Sequence, residues 1–266
     1  MKNKKTIMFV TGAFVSHHGW DNWITYFEDL GYNAIAPAWP EKDASPEILR
    51  NRQPDDMGLA DLTLEEVIDS YANIAKSLEE KPIIIGHSLG GLITQILLNR
   101  GLAEVAVAIH SVPPQGIFPY EFTFLRSTWK VLGLFSSMKK TYLMSFKDFK
   151  YAFVNGMPEK LQLEAYEKYA IPESKRVARG GLTSAAAVDF KKTHAPLLIL
   201  AGSEDHVIPA HLSYRNYIKY LKNNSIVDYK EFEGRNHSVL TAPGWETNAA
   251  YVARWIDKRI AKPFTF

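Results

Sequence analysis

Pro82-Ile83-Ile84-Ile85 runs directly into Gly86-His87-Ser88-Leu89-Gly90, and Gly91-Leu92-Ile93-Thr94-Gln95-Ile96-Leu97-Leu98 follows. The first run reads as a short buried strand and the last as a helix. Between them lies G-x-S-x-G, the pattern that sets a serine on a sharp, strained strand-to-helix turn. Gly86 and Gly90 supply the missing side chains that such a turn needs to close. The turn would lift the Ser88 hydroxyl clear of the sheet, above a helix N-terminus that favours developing negative charge. Taken alone the five positions are weakly specific, and a glycine-rich turn with an incidental serine is the alternative. The strand and helix on either side make the pattern strong.

Outward from this turn, strand and helix signals alternate. Upstream, Thr63-Leu64-Glu65-Glu66 is a capping box that opens a helix with Val67, Tyr71, Ile74, Ala75 and Leu78 on one face. That helix should end near Lys81-Pro82. Ser45-Pro46-Glu47 is another helix start. Thr6–Thr11 and Asn33–Pro37 read as strands, with a helix over Trp20–Leu30 between them. Downstream, Gly101 caps the helix after the turn and Val105–Ile109 is a further buried strand. After an interruption, Leu197–Ala201 and Val227–Phe232 are strands, Leu212–Leu221 a helix, and Trp245–Ile260 a terminal helix with Ala249, Val252, Ile256 and Ile260 in one stripe. This alternation predicts an α/β fold: a mostly parallel sheet covered by helices on both faces.

The interruption covers residues 113–192. It holds no convincing strand, shows helical patterns such as Glu159–Tyr169, and is rich in aromatics, among them Phe118, Tyr120, Phe122, Trp129, Phe135 and Phe153. It reads as a mostly helical cap inserted before the strand at Leu197, with residues 1–112 and 193–266 forming the core.

Composition narrows the function classes. At 266 residues and 46% hydrophobic, the chain can fill one large α/β core. A net charge of +2 with no long basic run gives no support to a nucleic-acid partner. The basic start Met1-Lys2-Asn3-Lys4-Lys5 precedes an apolar run of only Ile7–Val10, too short for a signal-peptide core or a membrane span. With no cysteine, a disulfide scaffold, a zinc–thiolate site and a cysteine nucleophile are excluded. The expectation is a cytoplasmic protein with no membrane partner and no cofactor; a homodimer is compatible with the sequence.

A serine hydroxyl needs a base to take its proton and a third group to orient that base. Two loops after later strands offer them on the same sheet edge as Ser88: Gly202-Ser203-Glu204-Asp205-His206-Val207-Ile208-Pro209, and Glu233-Gly234-Arg235-Asn236-His237-Ser238. That edge is where open parallel sheets bind ligands. His17 and His18 form a loop pair with no carboxylate at metal-ligand spacing, so no metal site is expected. His206 adjoins Asp205 and could not easily point back at Ser88. His87 reads as a packing residue. His110 ends a strand near the site, either lining the pocket or serving as a hydrogen-bonded structural histidine.

The chain resembles the α/β-hydrolases. Gly86-His87-Ser88-Leu89-Gly90 is similar to the family's elbow, Gly202-x-x-Asp205-x-x-Ile208-Pro209 to its acid loop, and Gly234-x-x-His237 to its histidine loop. The likeness covers essentially the whole chain, with residues 113–192 in the place of the family's cap. It implies a small serine-triad hydrolase: Ser88 as nucleophile, His237 as general base and then acid, and Asp205, rather than Glu204, as the orienting carboxylate. It also implies an oxyanion hole from the backbone N–H groups of Leu89 and Ala13. Thr11 stands where the family usually has histidine, which makes Phe14 the fallback donor. Phe14, His110, Phe118 and Tyr120 are candidates for the pocket lining. The implied activity is hydrolysis of a small, largely apolar carboxylic ester through an acyl-enzyme. Gly12 and Ser238 stand where cyanohydrin lyases of the family have threonine and lysine, which argues against lyase chemistry. Cofactor-free perhydrolysis and a hormone-receptor-like binding role with slow turnover are the other readings.

Overall fold

The computed structural model describes residues 4–133 and 136–260. Phe135, counted above among the insertion's aromatics, Met1–Asn3 of the basic start and the last six residues lie outside them. Six strands form one sheet: β1 Thr6–Val10, β2 Asn33–Ile35, β3 Ile83–His87, β4 Val105–Ile109, β5 Leu197–Gly202 and β6 Val227–Phe232. Their order is β2-β1-β3-β4-β5-β6, with every neighbouring pair parallel. The register aligns Val10 with Gly86 and His87 with Ile109, so these strands end together.

Eleven α-helices are described. They are α1 Asp21–Asp29, α2 Pro46–Arg52, α3 Met57–Asp61, α4 Leu64–Ser77, α5 Leu89–Asn99, α6 Phe122–Leu132, α7 Phe146–Ala152, α8 Glu159–Tyr169, α9 Lys175–Gly180, α10 Ala210–Tyr220 and α11 Trp245–Ile260. Alternate residues of each strand point to opposite faces. Met8, Val10, Ile84, Ala106 and Ile199 pack with α4 and α5 on one side. Ile7, Phe9, Ile85, Val107 and Leu200 pack with Trp23 and Phe27 of α1 and Val252 and Ile256 of α11 on the other. Strands this apolar in consecutive positions are stable only between two covering layers.

The local signals place the elements well. The capping box at Thr63 and Glu66 is formed, and Ser45 caps α2 with Pro46 in its first turn. The helix α4 stops at Ser77, a turn before the expected Lys81-Pro82, because Leu78 already adopts extended backbone. Between β4 and β5 the described residues contain helices α6 to α9 and a short 3-10 turn at Ser184–Ala186, and no strand of the sheet. A third apolar cluster, including Phe14, Ile117, Met144, Phe149, Phe153 and Ile208, joins this insertion to the sheet's carboxyl edge. No helix among the described residues is long and apolar enough to cross a membrane.

Candidate active site

Ser88 sits between β3 and α5 at φ 58°, ψ −122°, backbone that a residue with a Cβ adopts only under external constraint. The constraint is crowding. A Cβ on Gly86 would overlap the Gly90 carbonyl and the Thr94 side chain, and a Cβ on Gly90 would overlap the Val10 carbonyl. The two glycines of the motif are therefore required by the approach of the turn to itself and to β1. The Ser88 N–H donates to the Ile109 carbonyl at 3.0 Å, which ties the turn to β4.

The loops after β5 and β6 converge on this serine. His237 Nε2 lies 2.9 Å from Ser88 Oγ, and His237 Nδ1 lies 2.7 Å from Asp205 Oδ2. Asp205 and His237 are both buried. The Asp205 carboxylate also accepts from His110 Nδ1 at 2.7 Å on Oδ2, and from the backbone N–H groups of Val207 and Ile208 at 2.7 Å each on Oδ1. Burial alone would raise its pKa. The charge of His237 and the hydrogen bonds from His110 and His237 outweigh that and hold the carboxyl well below its ordinary range. An ionised carboxylate only accepts, so both rings must present Nδ1–H to it. In neutral His237 this leaves Nε2 bare toward the Ser88 hydroxyl, the tautomer a base requires. Gly202 lets these loops pass close together: a Cβ there would lie 2.6 Å from His110 Cε1 and overlap the Arg235 carbonyl.

Two backbone N–H groups complete the geometry. Leu89 is the first residue of α5, so its N–H has no intrahelical acceptor. In the loop after β1, the Thr11 carbonyl accepts from Trp39 Nε1 at 3.1 Å, and the Thr11 N–H faces Tyr71 Oη at 3.4 Å. The Phe14 N–H donates to Glu173 Oε2 at 3.0 Å, and the Phe14 carbonyl accepts from Ile171 N–H. Phe14, the fallback donor, is thus committed to Glu173, and the N–H of Ala13 is left without an acceptor among the described residues. Gly12 makes the approach to the serine possible, since a Cβ there would lie 2.8 Å from Ser88 Cβ.

The family model described as the alpha/beta hydrolase family matches residues 7–253. The chain belongs to that family. Esterase EstD of Thermotoga maritima is 26% identical over 213 residues, covering 75% of this chain and 47% of EstD, so the chain spans about half of that relative's length. Among solved structures, this α/β-hydrolase is similar to a monoacylglycerol lipase of Paleococcus ferrophilus, with a TM-score of 0.68 and 19% identity over 96% of this chain and 94% of that one. It is also similar to a pyrethroid hydrolase of Sphingobium faniae JZ-2, with a TM-score of 0.66 and 18% identity over 98% of this chain and 100% of that one.

Above Ser88, this α/β-hydrolase encloses a cavity of about 430 Å³. Ala13, Phe14, Ser88 and Leu89 form its floor, and insertion residues such as Ile117, Phe118, Met144 and Phe153 form its walls. None of the described lining residues is Asp, Glu, Lys or Arg. Phe14 and Phe118 line it, Phe118 from the mouth, where it is 76% exposed. Two expected lining residues lie elsewhere. His110, at φ 46° beyond β4, is turned beneath the site by its bond to Asp205. Tyr120 is 62% exposed, and its ring lies outside the cavity under the Arg215 guanidinium at 4.1 Å.

The other candidates find ordinary places. The Glu204 carbonyl accepts from Asn155 Nδ2, and the carboxylate bonding His237 is that of Asp205. His206 Nδ1 bonds the Tyr151 carbonyl. His87 Nε2 donates to the His237 carbonyl at 2.9 Å, and burial holds its pKa well below the usual value. His18 faces Asp21 at the surface. The rings of His87, His110 and His237 bring nitrogens within 4.8 Å of one another, a cluster that sequence spacing did not reveal. For His110 and His237 that closeness follows from sharing the Asp205 carboxylate.

The insertion also grips the loops that carry the site. The Phe153 ring packs edge-on against the His237 imidazole at 4.9 Å, and the Phe153 carbonyl accepts the Ser238 N–H. Asn236 Nδ2 donates to the Asn155 carbonyl. None of these three contacts has a motif behind it.

Proposed function

We propose that this protein is a serine hydrolase that cleaves a small, largely apolar carboxylic ester through an acyl-enzyme intermediate. The single observation that carries the reading is the unbroken chain of hydrogen bonds from Ser88 Oγ through His237 to Asp205 on the floor of an apolar cavity. His237 Nε2 takes the hydroxyl proton as Ser88 attacks the ester carbonyl. The N–H groups of Leu89 and Ala13 stabilise the oxyanion of the tetrahedral intermediate. Protonated His237 then gives its proton to the leaving alkoxide, and Asp205 stabilises the imidazolium without itself becoming protonated. Water, activated by the same imidazole, attacks the acyl-enzyme and releases the acid.

A cavity without charged walls favours a neutral, apolar acyl or alkoxy group. The helices over it act as a cap. The names of EstD and the monoacylglycerol lipase agree with ester cleavage. The reading is tested with a sulfonyl fluoride and a series of p-nitrophenyl esters of graded acyl length. Mass spectrometry should find the adduct on Ser88, and turnover should be measurable for short and medium chains. Labelling at another residue, or ligand binding without turnover, overturns it.

A further inference from the structure

Lys42 and Glu173 form a nearly solvent-free ion pair, Nζ to Oε2 at 2.7 Å, with exposures of 4% and 0%. Burying such a pair in place of apolar side chains is rarely a source of stability, because desolvation offsets the attraction. Its location is more informative. Glu173 belongs to the insertion, and Lys42 to the segment between β2 and α2. The carboxylate oxygen that meets Lys42 is the one that accepts the Phe14 N–H at 3.0 Å, while Oε1 accepts the Ser174 N–H at 2.9 Å. Phe14 is held at φ 66°, a conformation that needs outside support in a residue with a large side chain. The Lys42 ammonium lies 3.8 Å over the ring of Trp39, whose indole N–H bonds the Thr11 carbonyl. The pair therefore braces the loop after β1 at both ends, Thr11 and Phe14, and leaves Ala13 between them.

We propose that the Lys42–Glu173 pair is the positioning device of the oxyanion hole: Glu173 takes the Phe14 N–H and so fixes where the Ala13 N–H points. Lys42 neutralises a carboxylate that would otherwise stand one residue from the developing oxyanion. Neither side chain touches substrate; both act through the loop. The inference rests on the ester-cleaving reading of Ser88.

Two double variants test it without leaving a buried charge unpaired. Lys42→Met with Glu173→Gln keeps a neutral acceptor for the Phe14 N–H; Lys42→Met with Glu173→Leu removes it. Both are assayed on p-nitrophenyl butyrate per folded molecule, with melting temperature measured alongside. The Gln form should hold kcat within about fivefold of the parent. The Leu form should lose about 10²-fold in kcat with KM within threefold, the size of a lost oxyanion donor. A merely structural pair would lower the melting temperature of both and leave kcat per folded molecule alike; a Leu form within threefold of the Gln form overturns the proposal. If the Leu form does not fold, Lys42→Met with Glu173→Ala, which also lacks the acceptor and leaves no charge unpaired, takes its place under the same criteria. A parent that neither cleaves the ester nor labels at Ser88 ends the reading of the site and this inference together. An active parent with an insensitive pair ends the inference alone.

Discussion

The turns at the carboxyl edge of the sheet and the helix α6 above them share one cavity and are built on opposite terms. Ser88, Asp205 and His237 are buried and joined by directional hydrogen bonds, and Gly12, Gly86, Gly90 and Gly202 stand where a Cβ would collide. On α6, Phe122 and Trp129 are 74% and 62% exposed, and the helix meets the cavity mostly through apolar Phe124, Val131 and Leu132, with Ser127 and Thr128 beside them. Directional bonds fix positions to fractions of an ångström, whereas apolar contact is non-directional and tolerates sliding. Substitutions at the edge should therefore act in an all-or-none way, and those in the insertion's cavity wall should act by degree.

The largest effect is expected from Ser88→Ala, which should lower ester turnover by about four to six orders of magnitude while leaving circular dichroism and melting temperature close to the parent's. A variant that keeps most of its rate would erase the contrast. Next is Asp205→Asn, which keeps the shape, removes the charge and disturbs the Nδ1–H tautomer of His237. Its kcat should drop by about 10³–10⁴-fold, against less than threefold for the neighbouring Glu204→Gln. Reversal of that order would give the orienting role to Glu204.

The insertion is probed more finely. Phe118→Ala opens the cavity mouth and should shift the preferred acyl length, changing the ratio of kcat/KM between long and short esters by about tenfold with the best substrate little affected. Tyr120→Ala, outside the cavity, should leave that ratio unchanged. Equal losses across the series for Phe118→Ala would make the wall a support rather than a selector. The smallest effect concerns pH. Asp205 has a folded pKa below its unfolded value of about 3.9, so its ionisation contributes stability above about pH 4 that is lost as pH falls toward the folded pKa. In melting curves between pH 7 and 2, the gap between the parent and Asp205→Asn should narrow below about pH 4. Phe118→Ala should track the parent throughout.

The sheet was legible because its central strands β1, β3, β4 and β5 are short apolar runs bounded by turn residues, and several helix starts carry a side-chain cap, as at Ser45 and Thr63. Ser88 was legible because Gly86 and Gly90 frame it; Asp205 and His237 stand three residues after Gly202 and Gly234, in loops whose resemblance to the family's singled them out. Lys42 and Glu173 left none: they pair with each other, 131 residues apart, and otherwise meet backbone N–H groups and the Trp39 ring, and a buried lysine looks like any surface lysine in a sequence. His110 was half legible. Its place at a strand end was visible, but the positive φ that turns it under Asp205 belongs to the contact itself and has no local signature. Phe153 was counted among the aromatics; that its ring would press on His237 depended on how the insertion folds back.

The strand order has a consequence of reach. Ser88 leaves from β3 and His237 from β6, with β4 and β5 between them. At about 4.8 Å per strand the two departure points stand roughly 14 Å apart, so the chain after β6 must arch back over two strand ends to deliver its imidazole. The arch clears them only because position 202, at the end of β5, carries no side chain: Arg235 rides directly over it and His110 fills the space below. A methyl group there would lift the span and draw His237 away from Ser88. The serine, the aspartate and the histidine would all still be present, and the hydrogen-bonded chain on which the proposed ester cleavage rests would be broken by a change to a residue that is no part of it.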